Sequence, residues 1–190
     1  MHVAKPGLRA LGIAESYSGR EQSTLAGVVM RKDLLIDGAA FARVTVAGSD
    51  ATDAIIRLHA ELRRKDINFI MVSGGIIAWY NIIDPVAVQD ATGLPIIITT
   101  YEESEGLAED IIHHFPGDAD RLAAYRQLGD RITVRLHTGY DLFIRSYGLS
   151  PEDAARLCDG FTYEGRVPEP VRVARLIARG LVRSTRSGQP

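Results

Sequence analysis

The chain is expected to fold as an α/β domain built on a mixed sheet with flanking helices. Three observations predict this. The first part of the chain carries strand-like segments joined by short links. The second part alternates apolar strands with helices. The length of 190 residues, 46% of them hydrophobic, suits one core of ordinary size.

Residues 8–17, LRALGIAESY, alternate with a period of two. Leu8, Ala10, Gly12, Ala14 and Ser16 share a face that is small beyond its first residue, which suits close helix packing. Leu11 and Ile13 lie on the other face with Arg9, Glu15 and Tyr17. A turn near 19–21 leads to a second strand at 23–31. After Ile36, Asp37 and Gly38 comes a third at 41–48, so the opening reads as an antiparallel meander.

The period then changes. Ala51, Ile55, Leu58 and Leu62 fall at helical spacing, with Arg57, Glu61, Arg63, Arg64 and Lys65 on the polar side. Residues 67–75, INFIMVSGG, form an apolar strand ending in glycines. A helix near 84–92 precedes a buried strand at 94–101, LPIIITTY. Polar helices are expected near 105–114 and 118–129, followed by two short strands, ITVRLHT and DLFIRSYG. Ser150 as N-cap and Pro151 at the first helical position open another helix. Residues 168–182 close the domain as a helix. The expectation is one domain over 1–184 with a flexible tail at 185–190. Meander first, then alternation, fits a ribonuclease H-like arrangement.

Composition narrows the function classes. The net charge of −2 excludes a polycation, so any nucleic-acid contact must use a local basic patch. The single cysteine, Cys158, excludes an internal disulfide and points to a reducing compartment. No signal peptide and no apolar run long enough for a membrane span are visible, which predicts a cytoplasmic protein without membrane contact.

The candidate chemistry lies at strand ends. Asp50 and Asp53 stand three apart where an extended run becomes helical, a pattern that serves either a helix cap or a pair of metal ligands. Glu15 continues the Leu11–Ile13 face, and an unpaired buried carboxylate there would be costly. Glu102, Glu103 and Glu105 follow an apolar strand, as acids of a helix start or as further ligands. His113 and His114 are adjacent and diverge on a helix, a poor metal pair. Gly74 and Gly75 permit close backbone approach to phosphate without forming a dinucleotide fingerprint, and Ser73 lacks the frame of a hydrolase nucleophile. Arg172, Arg175, Arg179 and Arg183 fall along one face of the last helix, either tracking phosphates or facing solvent.

Several stretches resemble known families. GRVPEPVRVARLIAR (165–179) looks like the closing segment of endonuclease V, IMVSGG like its strand ending in Asp-Gly, and LGIAESY like its first catalytic strand. The likeness is closer to the archaeal endonuclease dU family, once called domain of unknown function ninety-nine. KPGLRALGIAES, AGSDATDAI, FIMVSGGIIAWYNIID and GLPIIITTYEESEG carry it across almost the whole chain.

That resemblance implies an endonuclease V-like fold. It also implies a metal-dependent endonuclease cutting DNA at deaminated bases, deoxyuridine or deoxyinosine, in repair. Glu15 with Asp50 or Asp53 would then hold Mg²⁺ or Mn²⁺, which activates water. Trp79, Tyr80 and Tyr101 would stack on an extruded base. Arg166, Arg172, Arg175 and Arg179 would hold the backbone. The chain departs from endonuclease V in three places. Ala14 stands where the first Asp belongs, Ser73 replaces the Asp of Asp-Gly, and Gly75 replaces the following His. A non-catalytic nucleic-acid-binding protein on the same scaffold is the alternative.

Overall fold

The computed structural model describes Val3 and residues 5–17, 21–102 and 106–187, with side chains through Ser184. Nine strands and six helices follow one another among these residues. They are β1 (Arg9–Ser16), β2 (Gln22–Arg31), β3 (Ile36–Thr45), α1 (Ala51–Leu62), β4 (Phe69–Ser73), β5 (Ile76–Ile77) and β6 (Asn81–Ile82). Then come α2 (Pro85–Thr92), β7 (Ile96–Thr100), α3 (Ala108–His114), α4 (Ala119–Gln127), β8 (Ile132–Arg135), β9 (Asp141–Tyr147), α5 (Pro151–Gly160) and α6 (Glu169–Ser187).

Seven strands form one sheet in the order β3-β2-β1-β4-β7-β9-β8. The first three are the expected antiparallel meander. β1, β4 and β7 run parallel, and β9 returns antiparallel beside β7 with β8 at the edge. The carboxyl ends of β1, β3, β4 and β7 therefore meet along one rim, where ligands of α/β sheets usually bind.

Alternation along the strands divides the core between two faces. Leu11, Ile13, Leu25, Val29, Ile70 and Val72 pack with Ile55 and Leu58 of α1. Phe69, Met71 and Ile97 pack with Leu157 and Phe161 of the α5 region and Val171 of α6. Glycines let both helices approach. A Cβ at Gly12 would lie 2.2 Å from the Pro170 carbonyl carbon, and one at Gly27 would lie 2.4 Å from a Leu58 methyl. The small face read in β1 is thus the seat of α6: Ala14, Val28 and Ala174 form one buried cluster.

The Ser150 cap is as the sequence predicts, and Asp84 caps α2 in the same way. Asp84 accepts from Val86 and Ala87, and Ser150 from Asp153. Three expectations change. The third strand begins earlier, at Ile36, and ends at Thr45, because residues 46–49 turn toward α1. A two-stranded β5–β6 hairpin was not foreseen. The last helix continues to Ser187, so residues 185–187 belong to it, while 188–190 lie outside the described residues.

Candidate functional site

On the α1 face of the rim, Glu15 is half-buried at the end of β1. It accepts hydrogen bonds from the Ser23 hydroxyl and from the backbone N–H of Ala78. Burial pushes its carboxyl above the ordinary value, and these two donors only partly offset that rise. Arg9, on the same face, sits at the other end of β1 and pairs with Asp37 at 2.6 Å.

Asp50 stands at the N-cap position of α1 but does not cap it. No helix N–H bonds its side chain. The carboxylate instead reaches back to the Thr45 N–H at 3.0 Å, the Thr45 hydroxyl at 2.8 Å and the Asn81 amide at 2.7 Å. Burial alone would raise its pKa, but these donors outweigh that and hold the carboxyl below its ordinary value. Asn81 is fully buried and supplies the cap itself, accepting the Ala51 N–H at 3.0 Å. Asp50 is not the helix cap that its spacing suggested: it is the clasp of the β3–α1 turn. Asp53 is exposed and makes no side-chain hydrogen bond or ion pair with the described residues.

Both Glu15 and Asp50 lean on the β5–β6 hairpin, whose turn is strained. Ala78, Trp79 and Tyr80 have φ of 42°, 56° and 60°, a left-handed run without glycine, at a cost of about 1–2 kcal/mol per residue. Arg121 holds it: its guanidinium donates to the Ala47 and Gly48 carbonyls at 3.0 Å and also to the Tyr80 carbonyl. Asp118 pairs with Arg121 at 2.9 Å, and the guanidinium lies 4.1 Å from the Phe115 ring centre. The turn leaves Trp79 52% exposed, 5.7 Å from His114. His113 and His114 are exposed, as their adjacency implied. Neither Arg121 nor Asn81 was singled out from the sequence. A polar residue on a polar helix gives no signal of a partner some 70 positions away.

The α6 face of the rim differs. β1 pairs with β2 and β4 in unbroken register, without a bulge. Ala14 therefore faces α6, and Glu15, one residue on, faces α1. Ser73 faces α6 as well, in step with Phe69 and Met71. Its hydroxyl accepts from Arg175 Nη2 at 2.5 Å. The Arg175 guanidinium lies 5.0 Å from the Tyr101 ring centre, and the Tyr101 hydroxyl is 2.8 Å from that of Thr99. Burial pushes the Tyr101 hydroxyl up, with Ser73, Thr99 and Arg175 acting against the rise. Tyr101 was expected to stack on a base, but the guanidinium already lies over its ring.

The arginine stripe is not uniform. Arg172 pairs with the buried Glu169 at 2.5 Å and is committed to the fold. Arg175 turns inward, Arg179 is exposed, and Arg166 donates to the Tyr101 carbonyl at 2.8 Å while covering Tyr140. Two hollows open on the rim and share Glu102 and Phe143. One, of about 470 Å³, lies between Tyr101, Arg135, Tyr140 and Arg166. The other, of about 640 Å³, is lined by Gly74, Gly75, Thr100, Tyr125, Arg131 and Arg145. The Thr100 hydroxyl is buried without a hydrogen-bond partner among the described residues. Glu103 and Glu105 lie outside the described residues. Cys158 is buried, its thiol pushed up to about 12, so it is no nucleophile.

A family model described as endonuclease dU matches residues 6–182. The chain belongs to the endonuclease dU family. A UPF0215 protein of Pyrobaculum calidifontis is 36% identical over 173 residues, 90% of this chain and 95% of the relative. A protein of unknown function from Archaeoglobus fulgidus superposes with a TM-score of 0.80 at 24% identity, covering 92% of this chain and 98% of its own. Endonuclease V of Ciona intestinalis, solved with DNA containing an inosine, superposes with a TM-score of 0.63 at 16% identity, over 94% of this chain and 87% of its own. The fold of this endonuclease dU member is thus the ribonuclease H-like fold of endonuclease V.

The metal that the family resemblance implies can be tested against these residues. Among the described residues no group of three or more His, Cys, Asp or Glu side chains is placed to hold a metal ion. Glu15, Asp50 and Asp53 therefore do not form the shared cluster expected of them. The positions that the resemblance assigns to the first and third acids, Ala14 and Ser73, share the α6 face, with a guanidinium against the second. Glu15 points away from them, through the sheet. The described residues do not fit the carboxylate-held metal.

Proposed function

We propose that this member of the endonuclease dU family binds DNA at deaminated bases and takes the extruded base into the hollow beside Gly74, Gly75 and Thr100. A uracil or hypoxanthine is weakly paired, so unstacking it costs less than unstacking a normal base. The observation that carries this reading is the Thr100 hydroxyl, buried without a partner among the described residues, in the wall of a cavity of about 640 Å³ at the carboxyl ends of β4 and β7. That volume lies within the range of small-ligand sites, about 300–1,000 Å³. A polar base edge would satisfy the hydroxyl, and Gly74 and Gly75 leave room for it. Likeness to an endonuclease V solved with inosine-containing DNA supports the choice of partner.

Repair would then begin with recognition. Strand scission is what membership of the endonuclease dU family supports; its dependence on Mg²⁺ or Mn²⁺ is not part of the proposal, because the acids of the described residues do not converge. The deciding experiment incubates duplex and single-stranded oligonucleotides carrying uracil, inosine or no lesion, with Mg²⁺, Mn²⁺ or chelator. The expected result is lesion-dependent binding, with scission that neither added metal nor chelator changes. Mg²⁺-dependent scission that disappears in Glu15→Gln would overturn the metal independence and make Glu15 a catalytic residue. Equal affinity for damaged and undamaged strands would overturn base recognition.

A further inference from the structure

Arg175 reaches from α6 onto the carboxyl ends of β4 and β7, half-buried between Ser73 and Tyr101. Three other partly buried arginines have an acid beside them, whereas Arg145 has the Gly129 carbonyl at 2.8 Å. Arg9 has Asp37 at 2.6 Å, Arg64 has Asp66 at 2.7 Å, and Arg121 has Asp118 at 2.9 Å. Among the described residues Arg175 has no carboxylate, only the Ser73 hydroxyl at 2.5 Å. A guanidinium carries five N–H donors in a planar fork, so most of this one's donors remain for a ligand. A cation withdrawn from water without a counter-charge is costly, and an anion that enters from the rim removes the cost.

The surroundings narrow the anion. Arg166 donates to the carbonyl of the same Tyr101 over which Arg175 lies, and its guanidinium is 5.5 Å from the Tyr140 ring centre. Arg166 and Arg135 border the hollow of about 470 Å³ beside Tyr101, with Glu102 and Asp141 on its wall, and Arg175 lies behind it over the Tyr101 ring. The fork geometry matches phosphate oxygens bidentately. We propose that Arg175, positioned by Ser73 and Tyr101 and flanked by Arg166, is the seat of a nucleic-acid phosphodiester that this protein binds without a metal ion. The protein's own cation thus supplies the positive charge at the position where the resemblance assigns the third acid. This rests on the DNA reading above.

The test measures fluorescence anisotropy of labelled single-stranded and uracil-containing duplex oligonucleotides, in chelator and in Mg²⁺, across a salt series. Wild type should bind equally with and without Mg²⁺. Arg175→Gln should weaken binding about ten-fold and lower the salt slope by about one. Arg175→Lys should keep the slope but not the full affinity, since a point charge lacks the fork. Arg57→Gln, exposed on α1 at the other face, should bind as wild type. Wild-type affinity for DNA in both Arg175 variants overturns the seat and spares the DNA reading. Binding that collapses in chelator overturns its metal independence. A titration with inorganic phosphate, followed by NMR at Arg175 Nε, separates the sources. A shift without any DNA binding keeps the seat for free phosphate and removes the DNA reading, and no shift with either ligand overturns the seat.

Discussion

The two faces of the sheet meet at one rim and treat charge in opposite ways. On the α1 face, Glu15 and Asp50 are acids whose lone pairs are taken up by Ser23, Ala78, Thr45 and Asn81. On the α6 face, Ala14 and Ser73 carry no charge, and Arg175 brings a cation to them. One face spends its acids on holding loops in place. The other has a positive group with no carboxylate beside it among the described residues. A carboxylate at a strand end therefore means nothing for catalysis until its face and its donors are known.

The largest expected effect comes from breaking the clasp. Asp50→Ala strips charge-assisted hydrogen bonds from Thr45 and leaves the buried Asn81 amide short of an acceptor, so urea denaturation should show a loss of about 3 kcal/mol. DNA affinity, measured where the variant is still folded, should stay within two-fold of wild type. A stable variant that loses DNA-directed activity would return Asp50 to the site.

The next test turns one face into the other. Ala14 lies one step beyond the Ile13–Val72 pair and Ser73 directly follows Val72, so Ala14→Asp with Ser73→Asp would set two carboxylates side by side on neighbouring strands. Combined with Arg175→Ala, this variant should bind Mn²⁺ where wild type does not. At ten times its dissociation constant the metal should add about 1.4 kcal/mol of stability, read as a rise in Tm that chelator abolishes. No rise would mean that the α6 face lacks room for a cation.

Glu15→Gln should give a smaller, pH-dependent change. A carboxyl held above its ordinary value near 4.5 binds its proton more tightly in the fold than in the unfolded chain. Its favourable contribution is therefore fully present below that ordinary value and is lost as pH rises through the folded one. The neutral amide should raise Tm near neutral pH and change it little in acid, with thermal melts across the range as the measurement. A lower Tm at neutral pH would show that Ser23 and Ala78 outweigh burial. Smallest of all, Asp53→Ala should stay within about 0.5 kcal/mol, as exposed positions do.

Much of this was legible in the sequence, and the rest shows where local pattern ends. The period of two in β1 located the seat of α6 and the half-buried carboxylate together, because alternation is a property of neighbouring residues. Ser150 announced its helix for the same reason. The β5–β6 turn could not be read. Ala78, Trp79 and Tyr80 are not turn formers, and their left-handed backbone depends on Arg121, which lies 41 residues beyond Tyr80. The pairing of Asp50 with Asn81 spans 31 residues and looked like a cap from nearby. The face of Glu15 was readable in principle from the one-residue shift against Ala14, provided that β1 has no bulge, and only the strand register supplies that condition.

Gly12 has a mechanical consequence. Because any Cβ there would strike the Pro170 backbone at 2.2 Å, the first turn of α6 rests directly on β1 and behaves as a fulcrum. Arg175 rides five residues along the same rod, about 7.5 Å from that pivot at 1.5 Å per residue. A tilt of about 10° around the fulcrum would sweep the guanidinium's root by about 1.3 Å, roughly half a hydrogen-bond length. The reach of the cation is thus set at a buried contact with no charge, and a single added methyl group at position 12 would detune it from a distance.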